Sequence, residues 1–334
     1  GVVARIVPFN HPFMFAAAHL AAPLMAGNAV VVKTPETSPL SGSVLGELVR
    51  DTLPRGLVNI VHGYGAPAGD ALVRHPLVRR IGFTGSVATG LAIQRAAAES
   101  AVKHVSLELG GKNPFIVFPD ADLDRVVEMA VAGMNFSWAG QSCGSTSRLL
   151  LHADIHDEIV ERVAERMRAL RVGDPLDPAS EMGPVNSSKQ FERMQGFIAE
   201  AAAQGARLVT GGTRPSGTMF AQGYWLEPTL YADVTQEMRV VREEIFGPIV
   251  CAQRWHRESE VIELANDSPY GLTAAVWTRD LATGLRMTRA IEAGTVWLNT
   301  AGQHFVGAPF GGWKDSGLGG EECLEELYSY SRLK

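Results

Sequence analysis

Short apolar runs alternate with helix-length stretches along the first third of the chain. Runs 2–7, 29–33, 57–61, 80–83 and 104–108 predict strands, and segments 12–26, 39–52, 66–74 and 86–98 between them predict helices. Strand and helix in alternation argue a parallel sheet with crossover helices. The strand runs are continuous rather than alternating, which suits strands covered on both faces. In 12–26, Pro12 fits a first helical turn, and Gly27-Asn28 supplies the stop.

After Gly110-Gly111 the pattern restarts. Strands are predicted at 113–118, 149–152, 206–210, 249–255, 274–277 and 295–298. Helices are predicted at 123–134, 156–170, 187–204, 258–266 and 281–291. In 156–170, Ile159, Val160, Val163, Met167 and Leu170 share one face. Stretches 173–184 and 211–217 are loops by their Gly, Pro, Ser and Asp content. Two α/β units follow, meeting near 110–111.

Composition narrows the class. The chain has 334 residues, which at roughly 150 per domain suggests about two domains. Its net charge of −6 gives no footprint for nucleic acid. Three cysteines cannot staple a chain of this length, so a reducing cytoplasm is expected. The most apolar stretch, 13–32, is broken by His19, Pro23, Gly27 and Asn28, which argues against a membrane span or an export signal. No Met precedes Gly1, and the first ten residues read as a strand running into a turn. The expectation is a chain that begins inside a fold.

Three turns, two of them glycine-bearing, are candidates for cofactor contact. Gly63-Tyr64-Gly65 with Gly69 has the wrong spacing for a dinucleotide fingerprint and reads as a tight turn. Gly82-Phe83-Thr84-Gly85-Ser86 ends a strand and opens a helix, where free N–H groups can hold a phosphate. The alternative there is plain capping by Ser86. Lys33-Thr34-Pro35-Glu36 ends the second strand, where an acidic residue can accept from ribose hydroxyls, or form a surface ion pair.

Of the cysteines, Cys251 sits in an apolar run, and Cys323 lies among acidic residues that blunt a thiol. Cys143 lies in Gly140-Gln141-Ser142-Cys143-Gly144-Ser145, a small loop that a substrate can reach. No spacing is metal-like, so no metal is expected. Glu108 ends the fifth strand beside Gly110-Gly111, a suitable place for a general base. Asn10 can donate its amide to an oxyanion, or serve as a turn residue before a Pro-led helix. No histidine obviously pairs with Cys143, which disfavours a plain cysteine hydrolase.

Together and in this order, the residues resemble the aldehyde dehydrogenase family. Pro8-Phe9-Asn10-His11-Pro12 resembles its P-W-N-x-P turn, and Lys33-Thr34-Pro35-Glu36 its K-P-S-E segment. Phe83-Thr84-Gly85-Ser86 and Glu108-Leu109-Gly110-Gly111-Lys112 match its F-T-G-S and E-L-G-G-K. Gly140-Gln141-Ser142-Cys143 resembles its G-Q-x-C loop. Glu244-Ile245-Phe246-Gly247-Pro248 and the segment Pro309 to Gly317 resemble E-I-F-G-P and P-F-G-G-x-K-x-S-G.

The resemblance implies an α/β fold. It places a Rossmann-like parallel-sheet cofactor domain at 1–110, a second α/β catalytic domain at 111–315 and a C-terminal return at 316–334. It implies NAD, with NADP possible, and a small-molecule aldehyde as partner. Cys143 would attack the carbonyl, Asn10 would hold the oxyanion and Glu108 would activate water. Lys33 and Glu36 would hold the adenine ribose, Gly85 and Ser86 the pyrophosphate, and Glu244 and Phe246 the nicotinamide end. In the family register His11, Met14, Phe15, Trp138, His304 and Phe310 would line a substrate tunnel for a bulky apolar or aromatic aldehyde.

The departures are Phe9 for Trp and a start well over a hundred residues later than family chains. The end, Tyr330 to Lys334, stops at or before the family's final bridging strand. A complete chain would be a homo-oligomer. A catalytically silent domain binding dinucleotide or partner chains is the alternative. A CoA-acylating relative is a further alternative, against which Glu108 argues.

Overall fold

The computed structural model describes residues 1–332; Leu333 and Lys334, part of the predicted C-terminal return, lie outside the described residues. The chain divides into two compact units. One comprises Gly1–Gly110 together with the segment from His304, and the other Gly111–Gln303. The return to the first unit thus begins at His304, where the sequence reading set it at 316.

The first unit is built on a sheet of five parallel strands: β1 (Val2–Ile6), β2 (Ala29–Lys33), β3 (Val58–Val61), β4 (Val78–Thr84) and β5 (His104–Glu108). Their order is β5-β4-β1-β2-β3. Strands to one side of β1 follow it in sequence, and those to the other side come later. The order therefore reverses between β1 and β4, and in open α/β sheets that crevice, at the carboxyl ends, takes the ligand. Ala4, Val30, Val32 and Ile81 are wholly buried, as their apolar runs require. A short antiparallel strand, Gly317–Leu318, closes the β5 edge, pairing Gly317 with Glu108.

Helix 12–26 is corrected to two helices, Pro12–Ala18 and Ala21–Met25. Pro23 lacks an N–H, and in a continuous helix its ring would clash with the His19 carbonyl; the break at His19-Leu20 places it in a first turn instead. Segment 66–74 is regular only over Asp70–Arg74, because Gly65, Pro67 and Gly69 hold the preceding turn in a wider form.

The second unit is built on a seven-stranded sheet. Strands β6 (Pro114–Val117), β7 (Arg148–His152), β8 (Arg207–Thr210), β9 (Thr229–Ala232) and β10 (Ile249–Trp255) come first, then Thr273–Trp277 and Thr295–Leu298. Across the sheet the order is 295–298, 273–277, β6, β7, β10, β9, β8, parallel except for the β8–β9 pair. Helices Leu123–Ala132 and His156–Arg168 bury Val126, Ile159 and Val163 against Phe115, Leu149 and Leu151. Helix Ser188–Ala203 buries Met194 and Phe197 beside Tyr231 and Ile249. Phe197 is fully buried, with the guanidinium of Arg239 4.3 Å above its ring. Phe197→Ala is expected to cost about 3–5 kcal/mol, seen as a lower denaturation midpoint with an unchanged slope. No helix among the described residues is long and apolar enough to cross a membrane.

Candidate active site

In the second unit, the loop bearing Cys143 is set by backbone turns and buried hydrogen bonds. Helix Leu123–Ala132 gives way to a single turn, Phe136–Trp138, flanked by Asn135 and Ala139 in the left-handed region. Gly140 follows with φ +66°, and a Cβ there would overlap the Gly247 carbonyl, so only glycine fits. Asn113, fully buried, donates from Nδ2 to the Cys143 carbonyl at 2.7 Å and the Ser145 carbonyl at 2.9 Å. Its Oδ1 accepts from the Thr273 N–H at 3.1 Å, which fixes the amide's orientation. Ser145 Oγ donates to the Met134 carbonyl. The loop is therefore rigid from below, while Cys143 is half-buried and forms no disulfide.

Glu244 accepts from the Gly111 N–H at 3.0 Å, and Gly111 itself sits against the Cys143 carbonyl. Desolvation pushes Glu244 up to about 7, against the pull of that N–H and of the Lys112 and Arg193 charges. Arg193 donates to the Glu244 carbonyl at 2.6 Å. Phe246 is held at φ +59°, a strained value for an aromatic residue. Gly111, Gly140, Ser142, Glu244 and Phe246 are among the residues lining a small, shallow cleft. Trp138 is exposed nearby in sequence, at the end of its turn. Lys112 is fully buried, and desolvation pushes it down to about 8.

The other cysteines differ. Burial pushes the Cys251 thiol up, and its Sγ lies 3.6 Å from the Ser147 carbonyl, inside the core. Cys323 is also raised, by desolvation and by Glu325.

In the first unit, the carboxyl ends of the parallel strands gather the remaining predicted residues. Lys33 at the end of β2 is 4% exposed, and its Nζ lies 3.2 Å from the exposed Glu36 carboxylate. The pair is therefore not a surface pair: the lysine is buried and the carboxylate faces out. Gly85 and the exposed Ser86 follow β4. Ser86 Oγ caps helix Val87–Ser100 by accepting from the Thr89 N–H at 3.4 Å. Asn10 follows β1, half-buried, and its Oδ1 has no hydrogen-bond partner among the described residues.

Glu108 is 6% exposed, and its Oε2 also lacks a partner among the described residues. Desolvation first, then the neighbouring Glu321, hold it well above the usual carboxylate range, with Arg5 opposing. The Gly85 N–H donates to the Glu108 carbonyl at 3.0 Å, tying the two strand ends together.

Several residues of the predicted tunnel lining share the first unit. His304 packs on Phe310 with ring centroids 4.5 Å apart, and its Nδ1 lies 2.9 Å from Glu322, which raises its pKa. His11 meets Phe15 edge to face at 5.8 Å, and burial, then His304, lower its pKa. Met14 is exposed. Sequence reasoning passed over Asn113, Glu321 and Arg5. A signal existed for Arg5: a lone charge in the buried strand VVARI requires a partner.

Comparison with known proteins identifies the family. The profile of the Aldehyde dehydrogenase family matches residues 1–334, and the chain belongs to that family. "Aldehyde dehydrogenase tropH" of Talaromyces stipitatus is 51% identical over 338 residues, covering all of this chain and 65% of its own length. A structure of betaine aldehyde dehydrogenase from Staphylococcus aureus in complex with NAD+ superposes with a TM-score of 0.96 at 38% identity. It covers 99% of this chain and 65% of that one. A 3,6-anhydro-L-galactose dehydrogenase in complex with NAP matches at TM-score 0.95 and 38% identity, covering 99% and 69%. The chain thus spans about two thirds of the length of the relatives it matches.

Proposed function

We propose that this chain carries the NAD(P)-dependent oxidation of an aldehyde to a carboxylic acid through a thioester on Cys143. The observation that carries the reading is the Cys143 loop: a reachable thiol on a backbone clamped by the buried Asn113 amide. Preorganised backbone N–H groups beside a nucleophile are what stabilise a developing oxyanion.

The first unit suits the adenine and pyrophosphate end of the cofactor. Its sheet reverses order between β1 and β4, Ser86 opens a 14-residue helix there, and an outward-facing carboxylate stands at the end of β2. Lys33 and Glu36 would hold the adenine ribose, Gly85 and Ser86 the pyrophosphate, and Glu244 and Phe246 the nicotinamide end. When bound, NAD(P)+ supplies the two-electron acceptor for the hydride on the substrate carbon.

The Cys143 thiolate adds to the aldehyde carbon, and the carbonyl oxygen becomes an oxyanion. The Asn10 amide and the Cys143 N–H donate to it. As the hydride leaves, the C=O double bond re-forms and a thioester remains. Glu108 then takes a proton from water, the hydroxyl adds to the thioester carbon, and the C–S bond breaks to restore the thiolate. His11, Met14, Phe15, Trp138, His304 and Phe310 would contact the substrate, and their aromatic content suits a ring-bearing aldehyde.

Glu36 directs the choice of cofactor, because a carboxylate at the ribose repels a 2′-phosphate. Glu36→Gln is expected to lower the preference for NAD+ over NADP+ by about tenfold, equivalent to roughly 1.4 kcal/mol. Comparing kcat/KM for the two cofactors checks it; an unchanged ratio removes Glu36 from this role. The activity itself is tested by incubating the protein with NAD+ and a panel of aromatic aldehydes. NADH and carboxylic acid should form in equal amounts, and acid formation that needs CoA would point to acyl transfer instead.

A further inference from the structure

Arg5 is the one charged residue of β1 and is 1% exposed. A guanidinium so placed requires partners, because an unpaired buried charge costs several kcal/mol. Its Nη2 donates to Glu321 Oε1 at 2.8 Å and its Nη1 to the Tyr330 hydroxyl at 3.2 Å. The side chain reaches them by lying across Gly82, its register partner on β4, where any Cβ would overlap the guanidinium. Strand and glycine are thus matched to one buried ion pair.

Glu321 stands close to the proposed base. It exchanges two backbone hydrogen bonds with Phe310, at 2.7 and 3.0 Å. The next residue, Gly311, lies against the Glu108 carboxylate, since a Cβ there would fall 3.4 Å from Oε1. Glu108 and Glu321 therefore flank the same two-residue strip, both buried. Two carboxylates in one buried site cannot both ionise at ordinary cost, and a neighbouring cation decides which one does.

Arg5 is bonded to Glu321 and not to Glu108. Burial pushes Glu321 up, but Arg5, through its charge and its hydrogen bond, outweighs it and holds Glu321 below the usual range. The groups acting on Glu108 are Glu321, Glu322 and Glu326, which raise it, and Arg5, which lowers it. Arg80 also acts on Glu321. His19 lies 3.4 Å from Glu321 Oε2, and burial and then Arg5 push it down to about 3, so it is neutral at physiological pH. His19, Glu321 and Glu326 bring potential ligand atoms within 4.8 Å of one another, but Arg5 already supplies that cluster with a cation.

We propose that Arg5 is a positioning residue for Glu108: through Glu321 it fixes the electrostatic field in which that carboxylate takes a proton from water. This rests on the reading of Glu108 as the water-activating base.

The test uses p-nitrophenyl acetate, an activated ester that acylates a reactive cysteine without cofactor. The nitrophenol burst reports acylation, and the steady state reports hydrolysis of the acyl-enzyme. Glu321→Gln removes a like charge and should move the pH midpoint of the steady state down by about one unit. Arg5→Met removes an opposite charge and should move it up by a similar amount. Arg5→Lys should stay near the parent, and the doubly neutral Arg5→Met/Glu321→Gln, which leaves no unpaired charge if the single variant fails to fold, should fall between the two. The burst should be unaffected. Lower rates with an unmoved midpoint in Glu321→Gln, or a double variant whose midpoint equals that of Glu321→Gln, would overturn the proposal. Glu108→Gln separates the two readings. If it leaves the steady state intact, the base assignment itself fails. If it abolishes the steady state while the other variants leave the midpoint in place, only the role of Arg5 fails.

Discussion

Exchanging Cys143 for alanine is expected to remove aldehyde-dependent NADH formation, with kcat/KM falling by about four to six powers of ten. The size follows from the chemistry. Without the thiol there is no thiohemiacetal, and direct hydride loss from a free or hydrated aldehyde lacks the covalent step that the loop provides. Binding should survive, because the residues proposed to hold the cofactor do not include Cys143. NAD+ affinity by calorimetry should therefore stay within about threefold of the parent, a difference of roughly 0.7 kcal/mol. Cys251→Ser and Cys323→Ser act as controls. Cys251 is packed in the core, and its serine variant should lose stability by about 1–2 kcal/mol with catalysis retained. Comparable activity loss in all three variants would contradict a unique role for Cys143.

Glu108→Gln is expected to have the next largest effect, and a different form. Acylation should proceed, so one equivalent of NADH per chain appears in a burst. Hydrolysis should then slow by about 10²- to 10⁴-fold, the usual contribution of a positioned base. The pH dependence follows from the environment of the carboxylate. Burial and the Glu321 charge raise the Glu108 pKa, so the protonated form persists to higher pH than for an exposed glutamate. The base form is the active one. Hydrolysis in the parent should therefore rise with pH through the raised pKa and then level off, and this rise should be absent in the glutamine variant. The same shift bears on stability: a folded pKa above the unfolded value favours folding at low pH, and that contribution is lost as pH rises through the raised pKa.

Much of the fold was legible in the sequence because it is carried by local pattern. Strands 29–33, 104–108, 249–255 and 295–298 lie where the apolar runs place them, and Ser86 and Ser187 cap the helices they precede. The failures have physical causes. Thr229–Ala232 is too short, between a proline and an aspartate, to show a period, and its pairing with β10 and β8 decides its form. Gly317–Leu318 has no strand propensity; the open edge of β5 makes it a strand. The candidate site divides in the same way. Glu108, Asn10 and Ser86 end or follow strands or open helices, and Cys143 lies in a loop of small residues, features a sequence reveals. Glu321 and Arg5 are separated by 316 residues, and only the folded sheet puts them 2.8 Å apart. Asn113 likewise reads in the sequence only as the first residue of a strand, but its amide holds the nucleophile loop.

The most direct measurement is the mass of the Cys143 peptide from the Glu108→Gln protein, quenched in acid after mixing with NAD+ and an aromatic aldehyde. An acyl group should replace the Cys143 thiol hydrogen, a mass gain equal to the aldehyde less two hydrogens, in amount matching the NADH burst, and none without NAD+. NADH formed with Cys143 unmodified, or an acyl group found on another residue, would contradict it.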